Sequence, residues 1–495
     1  MSIGKSAGIR KLLAPAMSLV LTAAAATNAA PAAAAQVVTF MPTIVDVQHV
    51  SSGTTPPKQS DCNAIGRRCF NPQAEQNSYN LTPLLTAGHQ GQGETIAIVD
   101  SFGADTMPHD LAVFNTAFGL PHMCGEEDQP SAGNCPVGMP TFSVMQQGDV
   151  NTTGQPPNHG TGQETHNLWA HEVALDVEWS HTMAPLANIL LVTTPTAETL
   201  GVQGFPDFMK GEQKVIDNHM ASVISQSFAS AEEAFGSTQS LLNLRFAFED
   251  AQANHVTVLA SSGDAGTANV LKTPVKNPTT IPFPTVQWPA SDPLVTGVGG
   301  TYECTNASTG IGVDSVSPPS ACVAHPGVRE VGWIGSGGGF SHVFAKPSFQ
   351  SSLPNGSTSI GGMRGVPDVA LQASSRTGVL IYTTNPVISS NVKDLGWFVI
   401  GGTSSSSPQW AGLIAVANEM NGHHSLGYIN PALYAIGSNP AKYAADFYDV
   451  TTGNNQNDPS IPGYPATQGW DPVTGLGTPN AAKLLPDLIA QVNGI

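Results

Sequence analysis

Basic residues are scarce in this chain. Its 495 residues hold 18 Lys and Arg against 36 Asp and Glu, a formal charge of −18, and charged side chains make up only 11% of the total. A surface so poor in cations cannot neutralise phosphates, which argues against nucleic acid and anionic membranes as partners. Cysteine is also sparse: there are six, with no Cys-x-x-Cys and no histidine interleaved at ligand spacing, so a cysteine metal cluster is not expected. The one extended apolar stretch, Leu12 to about Ala26, is too short to span a bilayer stably. What is present is 40% hydrophobic residues with 51 Gly and 39 Pro, enough for a large packed interior interrupted by many turns.

The apolar stretch follows Lys5, Arg10 and Lys11 and leads into small residues up to Ala35, the layout of a secretory signal with an A-x-A-like cleavage site. Residues 1–35 are expected to be an export signal. The mature chain would carry 15 basic against 36 acidic groups, a formal −21, and be a secreted, extracellular monomer. An oxidising destination suits the cysteines, which fall into three near pairs: Cys62 with Cys69, Cys124 with Cys135, and Cys304 with Cys322. Neighbour pairing is the simplest connectivity, each bridge pinning one surface loop.

Residues 36–80 are polar and turn-rich and read as an extended lead-in. Beyond Gly93 the texture changes. Short β-branched runs at Thr95 to Val99, Ile189 to Thr193, Ser222 to Ile224, Val256 to Ala260 and Leu294 to Val298 alternate with helical or Gly/Pro-rich segments. That alternation predicts an α/β fold, a mostly parallel sheet flanked by helices, in one large domain over 81–495. Its active site belongs at the carboxyl ends of the strands.

The strongest local signal is Gly401-Gly402-Thr403-Ser404-Ser405-Ser406-Ser407-Pro408, which runs into an apolar helix. Glycines permit a sharp turn, and the positive end of the helix favours negative charge developing near Ser404. An ordinary Ser-rich helix cap would look similar, so a base must be found. One arrangement is the Asp, His, Ser order of subtilisins, with Asp100 closing a strand and His159 beside Gly160. Two departures weaken it: Gly162, Gln163 and Glu164 intervene before the helix, and Asp264 stands where subtilisins present an amide. The other arrangement lies on the helix predicted from Thr165 to Met183. There Glu172 and Asp176 are four residues apart and share a face, amid Val173, Ala174, Leu175 and Val177. A zinc reading of His171-Glu172 fails because Leu175 occupies the second histidine position, which leaves His166, His171 and His181 as ordinary histidines.

Four separated motifs resemble the sedolisins, serine-carboxyl peptidases with the subtilisin fold and a glutamate in place of its histidine. They are Glu172-Val173-Ala174-Leu175-Asp176, Ser262-Gly263-Asp264, Ser336-Gly337-Gly338-Gly339-Phe340-Ser341, and Gly402-Thr403-Ser404 with Pro408. Each alone is weak; together, in the family's order, they are specific, and the resemblance runs from about Cys62 to the C-terminus. It implies Ser404 as nucleophile, Glu172 as general base and acid, Asp176 as the group orienting Glu172, and Asp264 as oxyanion donor. The chemistry suits acid: at about pH 3 to 4 an imidazole of ordinary pKa is protonated and useless as a base, whereas a carboxyl still cycles. Asp264 must be neutral to donate, so an acid optimum with activity lost toward neutrality is expected. Asp100 resembles an acidic residue that in some relatives extends the chain behind the glutamate, and a turn-capping aspartate would look identical. Phe228 stands where some relatives carry Trp, at the cleft or in the core.

The resemblance also implies a calcium site formed by side-chain oxygens of Asp449 and Asp471 with carbonyls of Val450, Thr467 and Gly469, an oxygen set suited to a hard cation. Relatives usually carry a large folded propeptide, and its absence is expected here, since only about 45 residues separate Ala35 from Asn80. The function expected is a secreted, acid-active serine-carboxyl endopeptidase acting on proteins or peptides. The alternatives are a tripeptidyl-type exopeptidase of the same family and a catalytically silent, calcium-stabilised binding protein.

Overall fold

Continuous runs of aliphatic and β-branched residues build the central sheet. In the computed structural model, which describes residues 45–148, 166–195, 204–271, 279–314, 320–353 and 360–494, eight strands form it. They are β1 Thr95–Ser101, β2 Phe142–Gln146, β3 Asn188–Thr194, β4 Val223–Gln226, β5 Thr257–Ser261, β6 Thr296–Glu303, β7 Glu330–Gly332 and β8 Val369–Gln372. Their spatial order is β7-β6-β5-β4-β1-β3-β2, with β8 also paired to β6. Every pairing is parallel except that of β7 with β6. All five strands expected from the β-branched runs lie in this sheet. The export signal expected over 1–35 and His159 lie outside the described residues.

Successive side chains on a strand point to opposite faces, and both faces here are apolar, as a buried parallel sheet requires. Ile96, Ile98, Ile189 and Leu191 pack with two long helices, α1 (His166–Met183) and α2 (Thr403–Met420), through Val173, Leu175, Trp179, Trp410 and Leu413. Ala97, Val99, Leu190 and Val192 pack on the other face against helices Phe205–Asp217 and Phe246–Ala253. α1 has a second neighbour on its far side, a four-stranded sheet of Val45–Ser51, Gly396–Gly401, Thr377–Thr383 and Arg68–Phe70. The Trp179 indole donates to the Leu380 carbonyl at 3.0 Å, and Glu178 accepts the Tyr382 N–H at 3.1 Å. Enclosure on both sides explains why α1 is buried from Trp169 to Met183, polar residues included.

Where an extended lead-in was expected, residues 45–80 carry two strands and two short helices. Val45–Ser51 pairs antiparallel with Gly396–Gly401, and Arg68–Phe70 parallel with Thr377–Thr383, partners more than 300 residues away in the chain. The three disulfides join the expected neighbours, Cys62–Cys69, Cys124–Cys135 and Cys304–Cys322.

Candidate active site

The strand Gly396–Gly401 delivers the chain to α2 through a turn only glycine fits. Gly402 sits at φ +118°, a region L side chains avoid, and a Cβ on Gly401 would lie 2.3 Å from the Ser375 nitrogen. Ser404 is the second residue of α2 and fully buried. Its position in the first turn places it among N–H groups without intrahelical partners. Pro408, one turn on, has no N–H to give the Ser404 carbonyl. The helices that bear Ser404 and Glu172 pack closely: a Cβ on Gly412 would lie 2.5 Å from the Met183 Cβ, and the Ser180 hydroxyl donates to the Pro408 carbonyl at 3.3 Å.

Glu172 and Asp176, one turn apart on α1, are fully buried, as is Asp100 at the end of β1. Burial pushes the Glu172 carboxyl well above the ordinary range, and the neighbouring charges of Asp176, Asp100 and Asp264 push it further, while the Ser404 hydroxyl opposes the shift by favouring the ionised form. Asp176 is raised by burial and by Asp100, and opposed by the Ser227 hydroxyl. The Ser404–Glu172 contact is looser than a fully formed hydrogen bond, for neither Glu172 oxygen has a partner of ordinary geometry among the described residues. Catalytic contacts commonly tighten only when substrate is bound.

Asp264 follows the end of β5 by three residues. Its Oδ1 accepts the Thr403 N–H at 2.7 Å and the Thr403 hydroxyl at 2.9 Å, and its buried Oδ2 has no partner among the described residues. Burial pushes this carboxyl up to about 8 despite the two bonds from Thr403. The acid proton therefore belongs on Oδ2, free to donate from the start of the helix that carries Ser404. Thr403 also accepts the Gly263 N–H at 3.0 Å. Thr403 lay within a recognised motif, yet nothing in its spacing marked it as the holder of Asp264. Ser227 was equally unmarked; its one sequence signal is its place just past the end of β4, at the sheet's carboxyl edge.

Other residues singled out by sequence fall outside this cluster. Phe228 is a core residue, stacked on Phe208 with ring centroids 4.0 Å apart and packed against Phe205. His181 is buried, held with its pKa lowered to about 4 by desolvation, and contacts the Pro121 carbonyl at 2.9 Å; His171 meets the Phe398 ring edge-on. The glycines of the run 337–339 approach the protein's own backbone: a Cβ on Gly337 would lie 2.0 Å from the Ser262 carbonyl oxygen, and one on Gly338 1.9 Å from that of Pro472.

The residues of the expected calcium site lie on two adjoining loops. Gly469 donates its N–H to Asp449 at 3.1 Å, Thr467 donates its own to Asp471 Oδ2 at 2.9 Å, and Val450 adjoins Asp449. Asp471 is buried and pushed up to about 7 by desolvation, with hydrogen bonds but no cationic side chain opposing that shift. Two carboxylates on loops of backbone oxygen, lacking a counter-charge, fit a hard cation. Among the described residues there is no group of three acidic, His or Cys side chains able to hold a metal, so carbonyls would have to complete the shell.

A mostly parallel sheet between helices, with a serine at a helix start and acidic side chains gathered at the strand ends, is a subtilisin-like α/β architecture. No protein-family model matches the chain. Kumamolisin of Bacillus sp. strain MN-32 is 30% identical over 413 residues, covering 82% of this chain and 62% of its own. Human tripeptidyl-peptidase 1 is 32% identical over 259 residues, covering 48% of this chain and 38% of its own. The solved structure of Pseudomonas sedolisin, a serine-carboxyl proteinase complexed with two molecules of pseudo-iodotyrostatin, superposes with a TM-score of 0.62 at 25% identity, over 85% of this chain and 98% of that one. The chain belongs to the sedolisin family of serine-carboxyl peptidases. It spans less than two thirds of the length of the curated relatives it matches.

Proposed function

We propose that the protein is a serine-carboxyl endopeptidase that cleaves peptide bonds through an acyl-enzyme on Ser404. One observation carries the reading: the Ser404 hydroxyl faces a buried carboxyl, Glu172, while the spare oxygen of a protonated Asp264 is held at the start of the same helix. Ionised Glu172 takes the Ser404 proton as the hydroxyl attacks the scissile carbonyl, and returns it to the leaving amine. A second turnover of the same groups, with water in place of serine, releases the acyl product. Burial, with Asp176 and Asp100 adding to it, raises the proton affinity of Glu172 and makes it a stronger base than an exposed glutamate. Asp264 donates to the oxyanion, a contribution of about 3 kcal/mol in comparable sites. Asp449 and Asp471, with the carbonyls of Val450, Thr467 and Gly469, would hold a calcium ion that neutralises their charge and braces the C-terminal loops. Secretion into an acidic, oxidising medium belongs to the same reading.

Release of tripeptides from free N-termini is the second reading, favoured by the tripeptidyl-peptidases among the relatives. Digestion of casein at about pH 4 by the parent and by Ser404→Ala tests the first proposal; equal activity in the two removes the nucleophile. Parallel assays on N-terminally free and N-terminally blocked peptides decide between the readings, since only an endopeptidase cuts the blocked substrate.

A further inference from the structure

Asn455 lies in the Gly/Asn/Pro-rich loop after Asp449, is fully buried, and commits every polar atom to a partner. Its N–H donates to the Tyr464 carbonyl at 3.1 Å and its Oδ1 accepts the Tyr464 N–H at 2.8 Å, which closes its own loop. Its Nδ2 divides two hydrogens between the carbonyls of Gly338 at 3.3 Å and Pro472 at 3.2 Å. Its carbonyl accepts the Thr267 N–H at 3.3 Å.

Two of these contacts lead to Asp264. Thr267 lies three residues beyond it in the same turn, and a Cβ on the intervening Gly266 would sit 2.2 Å from the Asn455 carbonyl oxygen. Gly338 follows Gly337, whose N–H donates to the Gly263 carbonyl at 2.8 Å. The third contact, Pro472, adjoins Asp471. Thr403 fixes the carboxyl of Asp264, and Asn455 fixes the backbone on both sides of it. The side-chain amide reaches the turn through Gly338, and the backbone carbonyl, which also accepts the Asn457 N–H at 3.1 Å, reaches it through Thr267.

We propose that Asn455 is a positioning residue for the oxyanion donor: it clamps the turn from Gly263 to Thr267, and so sets where the Asp264 carboxyl stands relative to Ser404. The proposal rests on reading Asp264 as that donor. Electrostatic stabilisation of a transition state depends on donors held in place before the reaction, and a displacement of about 1 Å can cost up to about 100-fold in rate.

The test compares the parent with Asn455→Ala, Asn455→Asp and Asp264→Ala on one peptide substrate from pH 4 to 9, alongside thermal melting. Asn455→Ala is expected to lower kcat about 10- to 100-fold with KM nearly unchanged, and to shift the alkaline limb of the profile to lower pH as Asp264 becomes less enclosed. Asn455→Asp has the same shape. Protonated, it restores one donor; ionised, it sets a carboxylate against the Gly338 and Pro472 carbonyls, so its kcat relative to the parent should be higher at pH 4 than at pH 7. Should the alanine variant fail to fold, the aspartate variant at pH 4 and 7 carries the test. Parent kcat and an unmoved alkaline limb in folded Asn455 variants, with only a lower melting temperature, would overturn the proposal alone. Parent kcat in Asp264→Ala would remove the donor assignment and the proposal with it.

Discussion

Thr403 gives both its N–H and its hydroxyl to a single oxygen of Asp264, at 2.7 and 2.9 Å, and leaves the other, buried oxygen of that half-buried acid without a partner among the described residues. The bond pattern assigns the acid proton to the spare oxygen, and a carboxyl pushed up to about 8 keeps that proton through the acid and neutral range.

The alkaline limb of kcat/KM should therefore fall near pH 8 and not on the approach to neutrality expected from the sequence, because the raised Asp264 ceases to donate only once ionised. Asp264→Ala should lower kcat about 100- to 1,000-fold. Asp264→Asn keeps a donor that does not titrate, so it should lose less and show no alkaline limb there. A limb at the same pH in Asp264→Asn would assign it to another group.

A second set of buried acids bears on stability. Glu75, Glu303 and Glu330 are all buried around Tyr79, whose hydroxyl donates to Glu330 at 3.0 Å, and Arg329 is the cation beside them. Burial, with Glu330 adding to it, pushes Glu303 up to about 7, and burial with Glu303 raises Glu75. The folded state thus binds more protons than the unfolded one between the ordinary carboxyl range and about pH 7. Stability from Glu75 and Glu303 is complete below that range and is lost as pH rises through it toward their folded values. The melting temperature should fall between about pH 4 and 7, and Glu75→Gln should flatten the slope. A melting temperature that rises over that interval would contradict the sign.

The α1–α2 crossing leaves no room at Gly412. Gly412→Ala should destabilise the fold by about 1 to 3 kcal/mol, since the new methyl meets the Met183 Cβ and the helices must part. Because those helices carry Glu172 and Ser404, kcat should fall with the melting temperature. Parent activity in a destabilised Gly412→Ala would mean the two helices move without separating the pair.

If Asp449 and Asp471 hold calcium as proposed, a chelator should lower the melting temperature, and Asp471→Ala should reproduce the loss and abolish the chelator's effect. An unchanged melting temperature in excess chelator would dismiss the cation.

Much of the fold was legible because its signals are local. β-branched runs separated by helical stretches specify a buried parallel sheet, and Glu172 and Asp176 share a helix face by spacing alone. Asp264 and Ser404 stood out as parts of short motifs just past a strand end and at a helix start, and Glu172 and Asp176 by their spacing within one helix. What escaped depends on partners far along the chain. Nothing in 45–51 announces an antiparallel partner at 396–401, and Phe228 reads the same in a cleft or a core until Phe208 is placed beside it. The glycines of 337–339 signal a close approach without saying to what, and Asn455 looks like a turn residue until its amide is seen to span three segments.

If Glu172 is the base for Ser404, the two act as one unit and their losses cannot add. Pre-steady-state and steady-state rates at about pH 4 for Ser404→Ala, Glu172→Gln and the double variant test this most directly. Each single variant should lose about 10,000-fold or more in kcat, with the double no worse than either. A Glu172→Gln enzyme that keeps a substantial fraction of parent activity, while Ser404→Ala keeps none, would show that another group takes the serine proton.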